Sequence, residues 1–253
     1  MRGKSSTRDL RPIQRCVPRA LTFDVGNTLI FPSPSLGEVY AEAAACNGIE
    51  ITPAAAEQGF KNAWRQAQSE QEGLCYGTNH AEARRFWLKV VSRVFEPGGI
   101  APSQAQAILD VLYERFAHAA TWRVEPTWPQ VLTACRTHGV KVGLVSNWDV
   151  RLRALLDELG IPSQVDAVVI SAECGVEKPD PAIFHAALRL LGVDGQESLH
   201  TGDTFDDDCE AARAAGMQAV WFNPHGAPLP EGAVADSPQV RQLADLLPML
   251  GLA

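Results

Sequence analysis

The 253-residue chain contains no run of about 18 consecutive apolar residues, the length a bilayer-spanning helix requires, so a membrane protein is not expected. It also lacks any CxxC pair. Its six cysteines, Cys16, Cys46, Cys75, Cys135, Cys174 and Cys209, are scattered, which speaks against a zinc site or a disulfide framework. They read instead as buried small apolar residues of a protein in a reducing cytoplasm. No internal repeat or long low-complexity tract is present. Basic charge is scarce outside the first 20 residues, which hold six Lys/Arg and one acid, and the net charge is −8. An acidic chain of this kind is not expected to take nucleic acid as its partner. The basic head has no apolar core of its own, so residues 1–19 read as a tail without fold and not as a secretory signal.

The apolar fraction of 46% is enough for a full core. A short apolar strand, Ala20-Leu21-Thr22-Phe23, ends at Asp24 and is followed by Gly26-Asn27-Thr28-Leu29 and a Pro/Ser break at residues 32–34. Four helices are then predicted, at 37–46, from Pro53 onward, at 80–95 and at 103–120. The third carries Phe86, Val90, Val91 and Val94 on one face, and the fourth Ile108, Leu109, Leu112 and Phe116. From residue 129 the pattern alternates. Helices at 129–137, 150–159, 181–191 and up to 215 alternate with apolar strands at 140–145, 165–170, 199–201 and 219–222. That alternation predicts parallel βαβ units in a Rossmann-like sheet covered on both faces. The expected organisation is one α/β core from 20–31 and 123–253, interrupted by an all-helical segment at 32–122.

In an open parallel sheet, ligands bind beyond the carboxyl ends of the strands. Asp24, Ser146-Asn147 and Asp203 fall at such ends, and Lys178 lies in a loop beside them. Each is ambiguous alone: a strand-end aspartate caps turns, a serine caps helices, a lysine is commonly a solvated charge. Together they bring a nucleophilic carboxylate, a hydroxyl donor and a cation to one crevice. The segment Asp203-Thr204-Phe205-Asp206-Asp207-Asp208 packs four carboxylates into six positions, which a cation would have to offset. The backbone of the turn after Asp24, with Gly26 allowing close approach, offers N–H groups to a transferring group.

Four motifs in order resemble those of the haloacid dehalogenase-like superfamily: Phe23-Asp24-Val25-Gly26-Asn27-Thr28, Gly143-Leu144-Val145-Ser146-Asn147, Lys178-Pro179-Asp180-Pro181, and Gly202-Asp203 with the acids after it. The resemblance covers residues 20–225 and identifies the insertion at 32–122 with the family's helical type-1 cap, hinged near 31–35 and 122–126. It implies that Asp24 is the nucleophile. It further implies that Asp24, Asp203 and the Gly26 carbonyl hold Mg2+, that Ser146, Asn147, Asn27 and Lys178 bind phosphate, and that Asp208 and Thr28 support them, Asp208 by orienting Lys178. Asp180 would only cap the following helix.

One departure matters. Phosphatases of the family carry a second aspartate two residues after the nucleophile as general acid and base, and here that position is Gly26. Losing a positioned acid/base costs about 10²–10⁴ in rate. The expected function is therefore a magnesium-dependent hydrolase of a small phosphorylated metabolite, working through an aspartyl-phosphate at Asp24 with weak or specialised activity. One alternative is a non-catalytic metal- and phosphate-binding protein on the same scaffold. Another is a 2-haloacid dehalogenase, in which halide needs no proton; those enzymes resemble Asp-x-Tyr-Gly-Thr at the first motif and use Ser and Asn where this chain has Asp203 and Phe205. A phosphonate hydrolase would need a cap lysine, and only Lys61 and Lys89 are on offer. The substrate and the oligomeric state are left open.

Overall fold

A computed structural model describes residues 17–71, 73–233 and 237–252. The basic head up to residue 16, and with it Cys16, lies outside the described residues.

Six strands form one parallel sheet: β1 Ala20–Phe23, β4 Lys141–Ser146, β5 Ala167–Ile170, β6 Ser198–Gly202, β7 Gln218–Phe222 and β8 Gln239–Val240. Their spatial order is β5-β4-β1-β6-β7-β8. Alternate residues of each strand face opposite sides. Leu21, Phe23, Val142 and Leu144 pack against α5 (Trp128–His138), α6 (Leu152–Glu158) and α10 (Leu246–Leu250). Ala20 and Val145 pack on the other side against α8 (Ala182–Leu191) and α9 (Ala211–Ala214). The fold is thus an α/β Rossmann-like sheet with both faces covered, and the near-continuous apolar strands follow from that double burial.

Between β1 and β4 the chain builds α1 (Leu36–Ala45), α2 (Pro53–Ser69), α3 (His80–Phe95) and α4 (Pro102–Arg115) around a separate apolar cluster that includes Val39, Phe86, Val90, Ile108 and Leu112. Local chemistry sets the helix starts. Ser35 and Glu38 form a reciprocal capping box (Ser35 N donates to Glu38 Oε2 over 2.8 Å), Thr52 caps α2 ahead of Pro53, and Asn79 caps α3. The chain passes into and out of this helical unit along a two-stranded antiparallel ribbon, β2 (Ile30–Pro32) against β3 (Trp122–Val124).

Some boundaries differ from those expected. The fourth helix ends at Arg115, not near 120, because side chains take its last carbonyls: Thr121 Oγ1 donates to Arg115 O (2.6 Å) and Trp122 Nε1 to Phe116 O (3.1 Å). The helix expected after Asp203 opens as a widened π-type turn at Phe205–Glu210 before α9. The ribbon and β8 escape the periodicity because they are two or three residues long. Two cysteines are not buried as expected: Cys46 caps the exposed end of α1 and Cys174 ends the short α7 (Ser171–Cys174); all five described cysteines are free thiols.

A buried ion pair straps the helical unit to the sheet. Asp149, fully buried just after β4, accepts from Arg151 Nε (2.9 Å) and Nη2 (2.6 Å) and from Trp87 Nε1 of α3 (2.9 Å). Arg151 Nη1 donates to Tyr113 O of α4 (2.8 Å). Asp149→Ala would leave the arginine buried and unpaired, at a cost of about 3–5 kcal/mol. Equilibrium urea unfolding of the variant is expected to read a loss of that size, and a loss below about 1 kcal/mol would show that the strap contributes little.

Candidate active site

The residues singled out from sequence, Thr28 excepted, come together at the carboxyl ends of β1, β4 and β6. Lys178, itself buried, donates from Nζ to Asp24 Oδ1 and Asp208 Oδ1, both at 2.6 Å. Oxygens of Asp24, Asp203 and Asp208 lie within 4.8 Å of one another, close enough to share one cation. Ser146, at the end of β4, is buried and lines the same cavity. Lys178 is thus one ammonium among three carboxylates.

Neighbours hold this cluster in place. Asn147 receives Lys178 N on Oδ1 (2.7 Å) and donates from Nδ2 to Lys178 O (2.8 Å). This amide therefore clamps the lysine loop, leaving only its second amide hydrogen and its backbone N–H for a ligand, a narrower role than direct phosphate binding. Asp208 is fixed from every side. Its Oδ2 accepts from Thr204 N (2.9 Å), its Oδ1 lies 3.2 Å from His200 Nε2, and it packs so closely on Gly202 that a Cβ there would fall 2.1 Å from its Cγ. The backbone carbonyl of Asp203 accepts from Trp221 Nε1 (2.8 Å). Asp180 Oδ1 accepts from Ala182 N (2.8 Å) at the start of α8.

His200 was not singled out from sequence. It is fully buried in β6, with Nδ1 2.9 Å from Thr22 Oγ1 and Nε2 on Asp208, and burial holds its pKa below the ordinary value. A neutral ring accepting from Thr22 and donating to Asp208 satisfies both contacts. Only the pairing of β1 with β6 reveals it.

The first-motif residues Asn27 and Thr28 sit differently in the turn. In the turn after Asp24, the N–H groups of Asn27, Leu29 and Ile30 bind the chain's own carbonyls, so the phosphate cradle is narrower than the glycine suggests. Asn27 takes the left-handed conformation (φ 56) and is exposed at the cavity, where only its side chain is free to reach a ligand. Thr28 is fully buried, its hydroxyl has no partner, and it does not line the cavity. Gly26 does line it, and its φ is not positive. A Cβ at Gly26 would come within 3.1 Å of Trp148 Cζ3, so the tryptophan ring stands against the place a side chain would enter.

The electrostatics suit the binding of a cation. Burial, then repulsion by Asp24 and Asp208, pushes the Asp203 carboxyl well above the carboxylate range. Burial also raises Asp24, against the pull of Lys178, to about 6. Burial alone would raise Asp208 too, but Lys178 and His200 outweigh it and hold that carboxyl low.

The sequence profile of the haloacid dehalogenase-like hydrolases matches residues 18–216. The human protein named haloacid dehalogenase-like hydrolase domain-containing protein 3 is 39% identical over 236 residues, covering 92% of this chain and 93% of its own. A glyceraldehyde 3-phosphate phosphatase of Methanopyrus kandleri is 34% identical over 205 residues, covering 80% of this chain and 82% of its own. Among solved structures, an L-2-haloacid dehalogenase superposes with a TM-score of 0.70 at 19% identity, covering 92% of this chain and 99% of its own.

A carboxyl whose pKa is raised on folding binds protons more tightly in the folded than in the unfolded chain. Its ionisation therefore costs stability as pH climbs from about 4, the unfolded value, through the folded value. Without divalent cation, Asp203→Asn is expected to gain in Tm relative to the wild type between pH 5 and 7.5, since the variant escapes that cost. Comparing the two proteins cancels the opposite contribution of His200. Millimolar Mg2+ should remove the variant's advantage at pH 7.5 by binding the wild-type carboxylates. Differential scanning calorimetry at the two pH values, with and without Mg2+, reads all four cases; an advantage independent of pH and Mg2+ would contradict a cation site at Asp203.

Proposed function

The chain belongs to the haloacid dehalogenase-like hydrolases, and from that premise we propose that it is a magnesium-dependent phosphohydrolase of a small phosphorylated metabolite, acting in the cytoplasm through an aspartyl-phosphate at Asp24. The observation that carries this reading is the ammonium of Lys178 shared by Asp24 and Asp208, with an Asp203 oxygen in reach of both. Asp24, Asp203 and the Gly26 carbonyl would hold the metal. Both oxygens of Asp208 are already engaged, so it would serve by orienting Lys178. When bound, magnesium would neutralise the phosphoryl oxygens and the crowded carboxylates. The relative named as a glyceraldehyde 3-phosphate phosphatase favours phosphoester chemistry.

In this reading the Asp24 carboxylate attacks phosphorus, the bond from phosphorus to the ester oxygen breaks, and the leaving oxygen departs with the electron pair. Lys178 holds Asp24 Oδ1 and so fixes the carboxylate's direction, while Ser146 donates its hydroxyl to a phosphoryl oxygen. Water then attacks the acyl phosphate at phosphorus, releasing inorganic phosphate and restoring Asp24. No carboxyl at position 26 protonates the leaving oxygen, so leaving groups of low pKa are favoured.

Gly26 also gives a second reading its specific support. With Trp148 against it, the acid/base is absent and its space is partly taken, as in a scaffold that binds phosphate and metal without turnover. A dehalogenase would also need no acid, but it would not need the carboxylate of Asp203.

With Mg2+ and an activated aryl or acyl phosphate, Asp24→Asn is expected to lower kcat by at least about 10³, and removing metal with EDTA to abolish turnover. Equal, EDTA-insensitive rates in both proteins would end the phosphohydrolase reading. Gly26→Asp should raise turnover of poor-leaving-group esters by up to about 10². It should do so more fully when combined with Trp148→Leu, because the new side chain needs the space of that ring. If the folded, Mg2+-binding double variant turns over no more than wild type, the missing carboxyl is not what limits the site.

A further inference from the structure

The cavity that receives Asp24 and Lys178 continues into the helical unit, and its walls change character there. It holds about 280 Å³, just below the usual range for ligand sites. The core contributes the charged groups. The helical unit and its stem contribute most of the aromatic rings, and the loop after β4 adds Trp148: all three tyrosines of the chain and four of its six tryptophans, Trp64, Trp87, Trp122 and Trp148, line this one space. Trp87 stacks on Tyr76 with ring centroids 5.5 Å apart, and Trp148 packs on Trp122 at 5.3 Å, so flat rings form the walls in fixed orientations.

Charge is distributed just as unevenly. Among the described residues, the only cations lining the cavity are Lys178 and Arg151. Lys178 is shared by Asp24 and Asp208. Arg151 is committed to Asp149 and to Tyr113 O, with its guanidinium 3.7 Å above the Tyr113 ring. Nothing else in the cavity offers positive charge to a second anionic group. A substrate carrying a carboxylate or a second phosphate beyond the reacting phosphoryl would have to bury that charge among aromatic rings and unpaired, which is strongly unfavourable.

We infer that the substrate is a phosphomonoester whose organic part is uncharged, apolar and flat, an aryl or similarly planar group held between the rings of the helical unit, and that monoesters bearing a second anion are rejected. This rests on the phosphohydrolase reading for the phosphoryl end of the ligand, while the choice of organic part rests on the cavity walls alone. The two fit chemically: an aryl oxygen is a better leaving group than an alkyl oxygen, and a site with glycine at position 26 has most need of one.

Phosphonates separate the two readings, because a P–C bond stands in place of the hydrolysable P–O ester bond and binding is read without cleavage. With Mg2+ present, calorimetric titration of the full chain is expected to find phenylphosphonate bound at least about tenfold more tightly than methylphosphonate, and phosphonoacetate, with its second anion, no more tightly than methylphosphonate. Trp64 is only half-buried, so Trp64→Ala is expected to fold, which circular dichroism checks, and to cut the phenyl-to-methyl ratio by threefold or more. Equal affinity for phenyl and methyl, or tighter binding of phosphonoacetate, overturns the inference. Preference for phenyl without turnover of phenyl phosphate leaves the choice of organic part standing and sinks the phosphohydrolase reading alone. Failure of all three phosphonates to bind overturns both.

Discussion

One buried ammonium is the constraint on which the site depends. Taking the Lys178 charge out of water is costly, and only close, well-oriented carboxylates make it tolerable. Asp24 and Asp208 supply them at 2.6 Å each, but their mutual approach and that of Asp203 then bring repulsion that one ammonium does not cancel. The surrounding structure answers the geometric part of this problem. Asn147 grips the lysine main chain on both sides, Gly202 gives up its side chain so that Asp208 can lie on the end of β6, and His200 and the Thr204 N–H take up the remaining lone pairs of Asp208. What it leaves unanswered is charge, and that deficit falls on Asp24 and Asp203, the two carboxyls of the cluster held above their ordinary range.

This division explains what the sequence could and could not reveal. The sheet was legible because doubly buried parallel strands are apolar end to end, and the polar residues that follow them stand out at Asp24, Ser146 and Asp203. The helical unit was legible from periodicity and from caps such as Thr52-Pro53. The order of strands, and thus the neighbours of each site residue, was not. His200 looks like any residue of a short strand until β6 is set beside β1, where its ring meets Thr22 on one side and Asp208 on the other. Asn147 reads as a ligand group because it follows Ser146, and only the loop position of Lys178 turns it into a clamp. Trp148 carries no motif at all; its part follows from a backbone path that brings its ring within reach of Gly26.

Gly26 and Trp148 are best understood together. A glycine where a carboxyl would act can be an isolated loss, leaving a gap that water fills, or part of a reshaped wall. Here the space beside Gly26 is not a gap: an indole occupies it, packed on Trp122 at the stem of the helical unit and continuous with the aromatic lining beyond. The ring presents an apolar surface to the cavity beside Gly26. On the proposed reading, the change that would weaken proton transfer is thus also the change that would improve the fit to an apolar leaving group. For leaving groups of low pKa the first effect is small, because little negative charge on the departing oxygen needs a proton, whereas the second acts on every flat apolar group the cavity admits. In the proposed phosphohydrolase, activity and selectivity would therefore shift in the same direction, away from alkyl esters and toward substrates that need no acid.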